Sequence, residues 1–207
     1  MNYLTAQAKK SGVKLNLGTE ATAATTEKAK PDVVILATGG KHIFPDIPHL
    51  DQAHLVCAED VLTGKVEVGM EVVVLGGELV GCETAEYLVE RGRKVTIVEV
   101  CDKLATKITP YLSEKLLDRL SRKGVDIFTG VKREDFLNSS LTITTRENQE
   151  KVIQVNTIVV VTGSRANTEL YQALSGRVPE RYLVGDCVEP RNIMEATTDG
   201  FNIGQTI

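Results

Sequence analysis

Short runs of branched apolar residues, each closing on glycine or a turn former, alternate here with stretches whose apolar positions recur at helical spacing. Residues 1–10 read as the end of a helix broken at Ser11-Gly12, and VKLNL (13–17) reads as a short strand. After Pro31-Asp32, VVILATGG reads as a buried strand running into glycines. Residues 41–60 carry Pro45 and Pro48 and little periodicity, which predicts a connector. A strand at 72–75 then precedes a helix with Val80, Ala85, Leu88 and Val89 on one stripe, ended by Arg91-Gly92, and a strand follows at 95–99.

Thr109-Pro110 is a helix start, with Thr109 as cap and Pro110 at the first helical position. That helix turns Leu112, Leu116, Leu117 and Leu120 inward, stops at Lys123-Gly124, and hands over to the strand VDIF. Residues 141–145 and 152–155 alternate apolar and polar positions around RENQEK, the pattern of an antiparallel hairpin. A buried strand at 157–162 ends at Gly163, a short one at 182–184 leads into Gly185-Asp186, and 192–206 predicts a final helix. Strands and helices in alternation predict an α/β fold.

The segment 72–99 carries the most chemistry. VVVLGGELVGCETAEYL followed by VTIVE is a strand, a glycine turn, a helix and a second strand closing on an acid about 20 residues past the first glycine, the βαβ layout of a dinucleotide site. Gly76 permits the sharp turn, Gly81 lets helix and strand pack closely, and the helix N-terminus offers N–H groups to a pyrophosphate. Glu99 can accept hydrogen bonds from the adenosine ribose hydroxyls, and it disfavours a 2′-phosphate, so NADH is expected over NADPH. No arginine follows it closely. In the G-x-G-x-x-G register, however, Glu78 stands where the middle glycine belongs. A carboxylate about 5 Å from a phosphate charge, at an effective dielectric of about 20, would cost roughly 3 kcal/mol as an upper bound. Starting a helix is the other role open to Glu78, since an acid suits that end of the dipole.

Bulk properties narrow the partners. Of 207 residues, 24 are Lys or Arg and 28 are Asp or Glu, so the net charge is −4 and no basic face invites nucleic acid. Apolar runs such as 33–37 and 158–161 are too short to span a membrane, and MNYLTAQAKKSG holds no apolar signal core, so a cytoplasmic location is expected. Cys57, Cys82, Cys101 and Cys187 are widely spaced without a C-x-x-C pair, which predicts reduced, mostly buried thiols. His42, His49 and His54 crowd into the proline-containing segment with no cysteine or carboxylate pattern beside them, so no metal is expected there.

PDVVILATGG, VVVLGGELVGCETAEYL and RYLVGDCVEPRNIMEATTDGF occur in this order, and together they carry a resemblance. The chain resembles the C-terminal FAD/NAD-linked region of the Old-Yellow-Enzyme-type NADH:flavin oxidoreductases, the group with 2,4-dienoyl-CoA reductase and trimethylamine dehydrogenase. GDCVEPRNIMEAT is the most specific match. The resemblance implies glutathione-reductase-like, Rossmann-type three-layer domains, with an NAD-type domain at 61–164 inserted into a partial FAD-type domain made of 1–60 and 165–207. It places Thr38 and Gly39 beside FAD, gives Asp186, after Gly185, a ribityl hydroxyl, and puts Glu83 near the nicotinamide. Gly76, Gly77, Glu78, Gly81, Glu99 and Gly163 complete the expected cofactor-binding set. No protein side chain is expected to act as a catalytic nucleophile.

The same resemblance implies absent parts. Residues 1–71 contain no G-x-G-x-x-G unit for the FAD pyrophosphate, and the family's FMN barrel and iron–sulfur segment do not appear. The chain is therefore expected to be a fragment of a larger enzyme, with weak or no FAD affinity, little turnover by itself, and an exposed strand at 33–37 that favours self-association. The leading function is an NADH-binding module that passes hydride to flavin in the parent enzyme. The alternative is a degenerate Rossmann fragment with a structural or partner-binding role. A Rossmann methyltransferase would explain Glu99 but neither ATGG nor GDCVEP.

Overall fold

The computed structural model describes residues 2–50 and 53–207. Met1 of the expected first helix and Asp51-Gln52 of the expected connector lie outside them. The chain divides into two compact units, residues 41–165 and residues 1–40 with 166–207.

Unit 41–165 is built on a five-stranded parallel sheet in the order β3-β10-β4-β5-β6. Its strands are β3 (Leu55–Cys57), β4 (Glu71–Leu75), β5 (Lys94–Val98), β6 (Asp126–Phe128) and β10 (Thr157–Val160). The period-two alternation within these runs sends successive side chains to opposite faces. Val72, Val74, Val95, Ile97 and Val159 pack under α4 (Leu79–Val89) and α5 (Pro110–Arg122), against Ala85, Leu88, Leu116 and Leu120. Val73, Leu75, Val98, Ile158 and Val160 face the other way, onto Phe136, Leu141 and Ile143. Those three belong to an antiparallel sheet of β7 (Arg133–Leu137), β8 (Ser140–Thr144) and β9 (Glu150–Gln154). The result is three layers: helices, parallel sheet, antiparallel sheet. Both faces of the parallel sheet are covered, which is why its strands read as continuous apolar runs.

The other unit holds α1 (Asn2–Lys10), α2 (Ala23–Ala29), β1 (Val33–Leu36), α6 (Glu169–Ala173), β12 (Glu180–Leu183) and α7 (Ile193–Thr206). β1 and β12 pair in parallel, Val33 opposite Glu180 and Leu36 opposite Leu183. β2 (Gly40–His42) and β11 (Ser164–Ala166) pair as a two-stranded ribbon. Among the described residues no helix is long and apolar enough to cross a membrane.

Several expectations change. VKLNL is not a strand: residues 13–17 have no strand partner, and Val13, Leu15 and Leu17 are exposed. The strand at 33–36 is buried only at Leu36, with Ile35 43% exposed. Residues 41–60 are more than a connector, because they carry part of β2, all of β3 and the start of α3 (Ala58–Leu62). β3 joins the parallel sheet beside β10, with Val56 opposite Val159, so the chain enters unit 41–165 at Lys41 rather than near residue 60. Thr109 does occupy the cap position of α5 but makes no side-chain cap bond. α2 went unread because its apolar content is alanine alone; its start is held by Thr22 and Thr25 in a reciprocal capping box.

Candidate functional site

Within unit 41–165 the glycine turn sits at the carboxyl end of β4, where open parallel sheets place their ligands. Gly76 has φ +107°, and a Cβ there would meet the Val161 carbonyl oxygen at 2.4 Å. A Cβ on Gly81 would meet the Gly76 carbonyl oxygen at 2.0 Å, and one on Gly77 would strike Leu104 at 1.9 Å. Gly76 and Gly81 are thus required by backbone contacts, whereas the Gly77 clash falls on the movable end of a side chain.

Glu78 is the N-cap residue of α4, yet its side chain caps nothing in the helix. The carboxylate turns to the loop before α5, where it accepts a hydrogen bond from the Thr106 hydroxyl and one from the Lys107 N–H at 3.3 Å. The side chain that replaces the middle glycine is therefore tethered to one side, and the first-turn N–H groups of α4 are not taken by it.

Glu99 is 8% exposed at the end of β5. One carboxylate oxygen accepts the Gly77 N–H at 2.6 Å and the other the Cys101 N–H at 2.7 Å. It therefore ties the glycine turn to the strand end. The backbone N–H of Val131 donates to the Glu99 carbonyl at 3.2 Å, and Val131, Val100 and Glu134 line an open cavity of about 330 Å³ beyond β5. Burial and then the Glu99 charge raise the Glu134 carboxyl above its ordinary range.

Neither cysteine at the turn is an activated nucleophile. Burial pushes the Cys82 thiol up to about 12, with the charges of Glu78, Glu83 and Glu99 adding to it, and Sγ donates to the Gly77 carbonyl at 3.3 Å. Cys101 is exposed, and its hydrogen bond with Glu99 raises it as well. Glu83 lies exposed on α4. Gly163, φ +100°, follows β10, and its carbonyl accepts the Ile43 N–H at 3.0 Å.

In the other unit, Thr38, Gly39, Gly185 and Asp186 meet at the carboxyl ends of β1 and β12. Asn167, which no motif flagged, organises the first pair. It donates its N–H to the Gly39 carbonyl at 3.1 Å and its amide to the Thr38 carbonyl at 3.3 Å, while the Thr38 hydroxyl donates to the Asn167 carbonyl at 2.7 Å. Gly185, φ +69°, donates to the Asp199 carboxylate at 3.1 Å, and Asp186 accepts the Arg191 N–H at 3.2 Å. Asn192 caps α7 through the N–H groups of Met194 and Glu195. A broad open cavity of about 610 Å³ is lined by Gly39, Gly185, Asp186, Asn192 and Ala196. Asn167 and Thr106 act over separations in sequence that no short motif spans.

A model of one enzyme family, pyridine nucleotide-disulphide oxidoreductase, matches residues 2–200. The chain is 33% identical over 211 residues to NADH oxidase of Thermoanaerobacter brockii, covering 100% of this chain and 32% of that protein. It is 32% identical over 204 residues to bilirubin reductase of Mediterraneibacter gnavus, covering 97% and 31%. Among solved structures, a 2-naphthoyl-CoA reductase complex superposes with a TM-score of 0.92 at 32% identity, over 99% of this chain and 31% of that one. The chain thus spans about a third of the length of the relatives it matches. With two glycine-lined sites at carboxyl strand ends and a match along nearly its whole length, this chain belongs to the pyridine nucleotide-disulphide oxidoreductase family, whose flavin oxidoreductases bind FAD and NAD(P)H.

Proposed function

We propose that the chain is the NADH-binding part of a larger flavin-dependent oxidoreductase of the Old-Yellow-Enzyme type. The observation that carries this is the glycine turn at β4 with Glu99 bonded across it and Glu78 drawn away to Thr106 and Lys107. In this reading the first turn of α4 takes the pyrophosphate and Glu99 takes the ribose hydroxyls, favouring NADH over NADPH.

NADH supplies a hydride, a flavin accepts it, and that chemistry belongs to the cofactors. The chain's share is binding and orientation, and the Cys82 thiol, held protonated, stays out of the reaction. Unit 1–40/166–207 fits the ribityl side of a flavin: Asp186 lines the cavity beside Gly185, with one carboxylate oxygen engaged by the Arg191 N–H. Among its described residues there is no second strand–glycine turn–helix for the FAD pyrophosphate, so tight FAD binding would need further chain. Glu78 favours a second reading, in which the domain is retained as a scaffold.

Fluorescence titration with NADH and with NADPH tests both. Saturable NADH binding, tighter than NADPH, is the expected result. No binding up to millimolar NADH would leave only the scaffold reading.

A further inference from the structure

The three histidines that crowd together in sequence separate in the fold. His49 turns to Asp135 and His54 to Thr157, while His42 faces a thiol and a carboxylate. The donor atoms of His42, Cys57 and Glu59 all lie within 4.8 Å of one another. His42 Nε2 is 3.3 Å from a Glu59 oxygen, and Cys57 Sγ is 3.8 Å from an oxygen of Asp60.

A ring nitrogen, a thiol sulfur and a carboxylate oxygen therefore converge on one small volume. Tetrahedral zinc, with bonds of about 2.0 Å to nitrogen and oxygen and 2.3 Å to sulfur, sets its ligands about 3.3–3.5 Å apart. We propose that His42, Cys57 and Glu59 bind a divalent cation of the zinc class, with Asp60 or a water completing the tetrahedron.

One imidazole, one thiolate and carboxylates form a mixed N/S/O set that suits zinc and not a hard cation such as magnesium. The ligands stand on ordered backbone. Cys57 ends β3, paired opposite Val160, and is the N-cap residue of α3, whose first turn carries Glu59 and Asp60. His42 ends β2, and the next residue, Ile43, is bonded in both directions to Gly163 and Thr162 at the end of β10. Lys65 holds the other Asp60 oxygen at 3.3 Å, which leaves the nearer one for the metal. On binding, the Cys57 S–H bond gives its proton to water as the S–metal bond forms, with no change of oxidation state. The metal would staple the strap at His42 to α3. None of the three ligands belongs to the glycine turn, and the metal readout is taken without nucleotide.

The experiment is a Co²⁺ titration of the whole metal-free chain, followed by chelator competition with Zn²⁺. A saturable thiolate-to-cobalt charge-transfer band is expected. Cys57→Ser should abolish the band, His42→Ala and Glu59→Gln should each weaken Zn²⁺ affinity at least tenfold, and Cys101→Ser, the exposed thiol, should change neither. No band, a band that survives Cys57→Ser, or unchanged zinc affinity in His42→Ala would overturn the proposal. Each variant's metal-free melting curve checks folding, and the His42 and Glu59 variants leave the thiol in place, so one variant that fails to fold does not blunt the test.

Discussion

At the proposed nucleotide site the orientation of Glu78 is set by two partners distant in sequence. Its charge stands at the turn, but Thr106 and Lys107 hold the carboxylate to one side. The penalty of a free acid pointing at a phosphate, roughly 3 kcal/mol at most, is therefore not fully incurred. Glu78→Gly should tighten NADH by about tenfold or less, near 1.4 kcal/mol, in the same fluorescence titration. Thr106→Ala, which frees the carboxylate to swing back, should weaken NADH several-fold. If both variants bind as the parent does, Glu78 has no bearing on the pyrophosphate. The identity of Glu78 was plain in the sequence; its orientation was not, because Thr106 lies 28 residues away in an irregular loop. Asn167 was hidden for the same reason, being 129 residues from the Thr38 it bonds.

Helices α4 and α5 were legible from apolar periodicity, and their mutual attachment was not. Across the Leu88 and Leu120 packing, Arg119 grips Glu86 with two bonds of 2.9 and 3.0 Å, and Lys123 adds a third at 2.8 Å. The hydrogen bonds from Arg119 foremost hold the Glu86 carboxyl down at about 2. Its folded value lies below the unfolded one of 4.5, so the stabilisation is present above pH 4.5 and is lost as pH falls toward 2. Because Arg119 reaches solvent, the contribution is discounted to about 1–2 kcal/mol. Denaturant unfolding from pH 7 to pH 2 should show Glu86→Gln less stable at neutral pH, with the difference shrinking on acidification. A constant difference would mean that the pair does not stabilise the helices. At this scale the sequence under-read β3, a three-residue strand in a proline-bearing stretch, and β7, whose REDFL pattern buries only Phe136. Short strands owe their place to their neighbours rather than to their own residues.

The two units differ in how completely they cover apolar surface. In unit 41–165 the sheet is shielded on both faces. In the other unit Leu17, Ile35, Ile193, Met194 and Phe201 are exposed, and among the described residues β1 pairs only with β12. Exposed apolar side chains and an open strand edge attract a further strand or chain. Light scattering of the isolated chain should accordingly report a mass above the monomer; a monomeric profile at working concentrations would show that this face is tolerated by water. What the sequence by itself determined was the α/β class, the βαβ unit from Val72 to Glu99 and the separate ATGG and GDC turns, since strand runs, helical stripes and glycine turns are local signals. Tertiary structure alone decided where Glu78 points, which unit holds residues 41–60, and that His42 meets Cys57 and Glu59. Those outcomes depend on contacts between residues far apart in the chain, and such contacts leave no periodic trace in sequence.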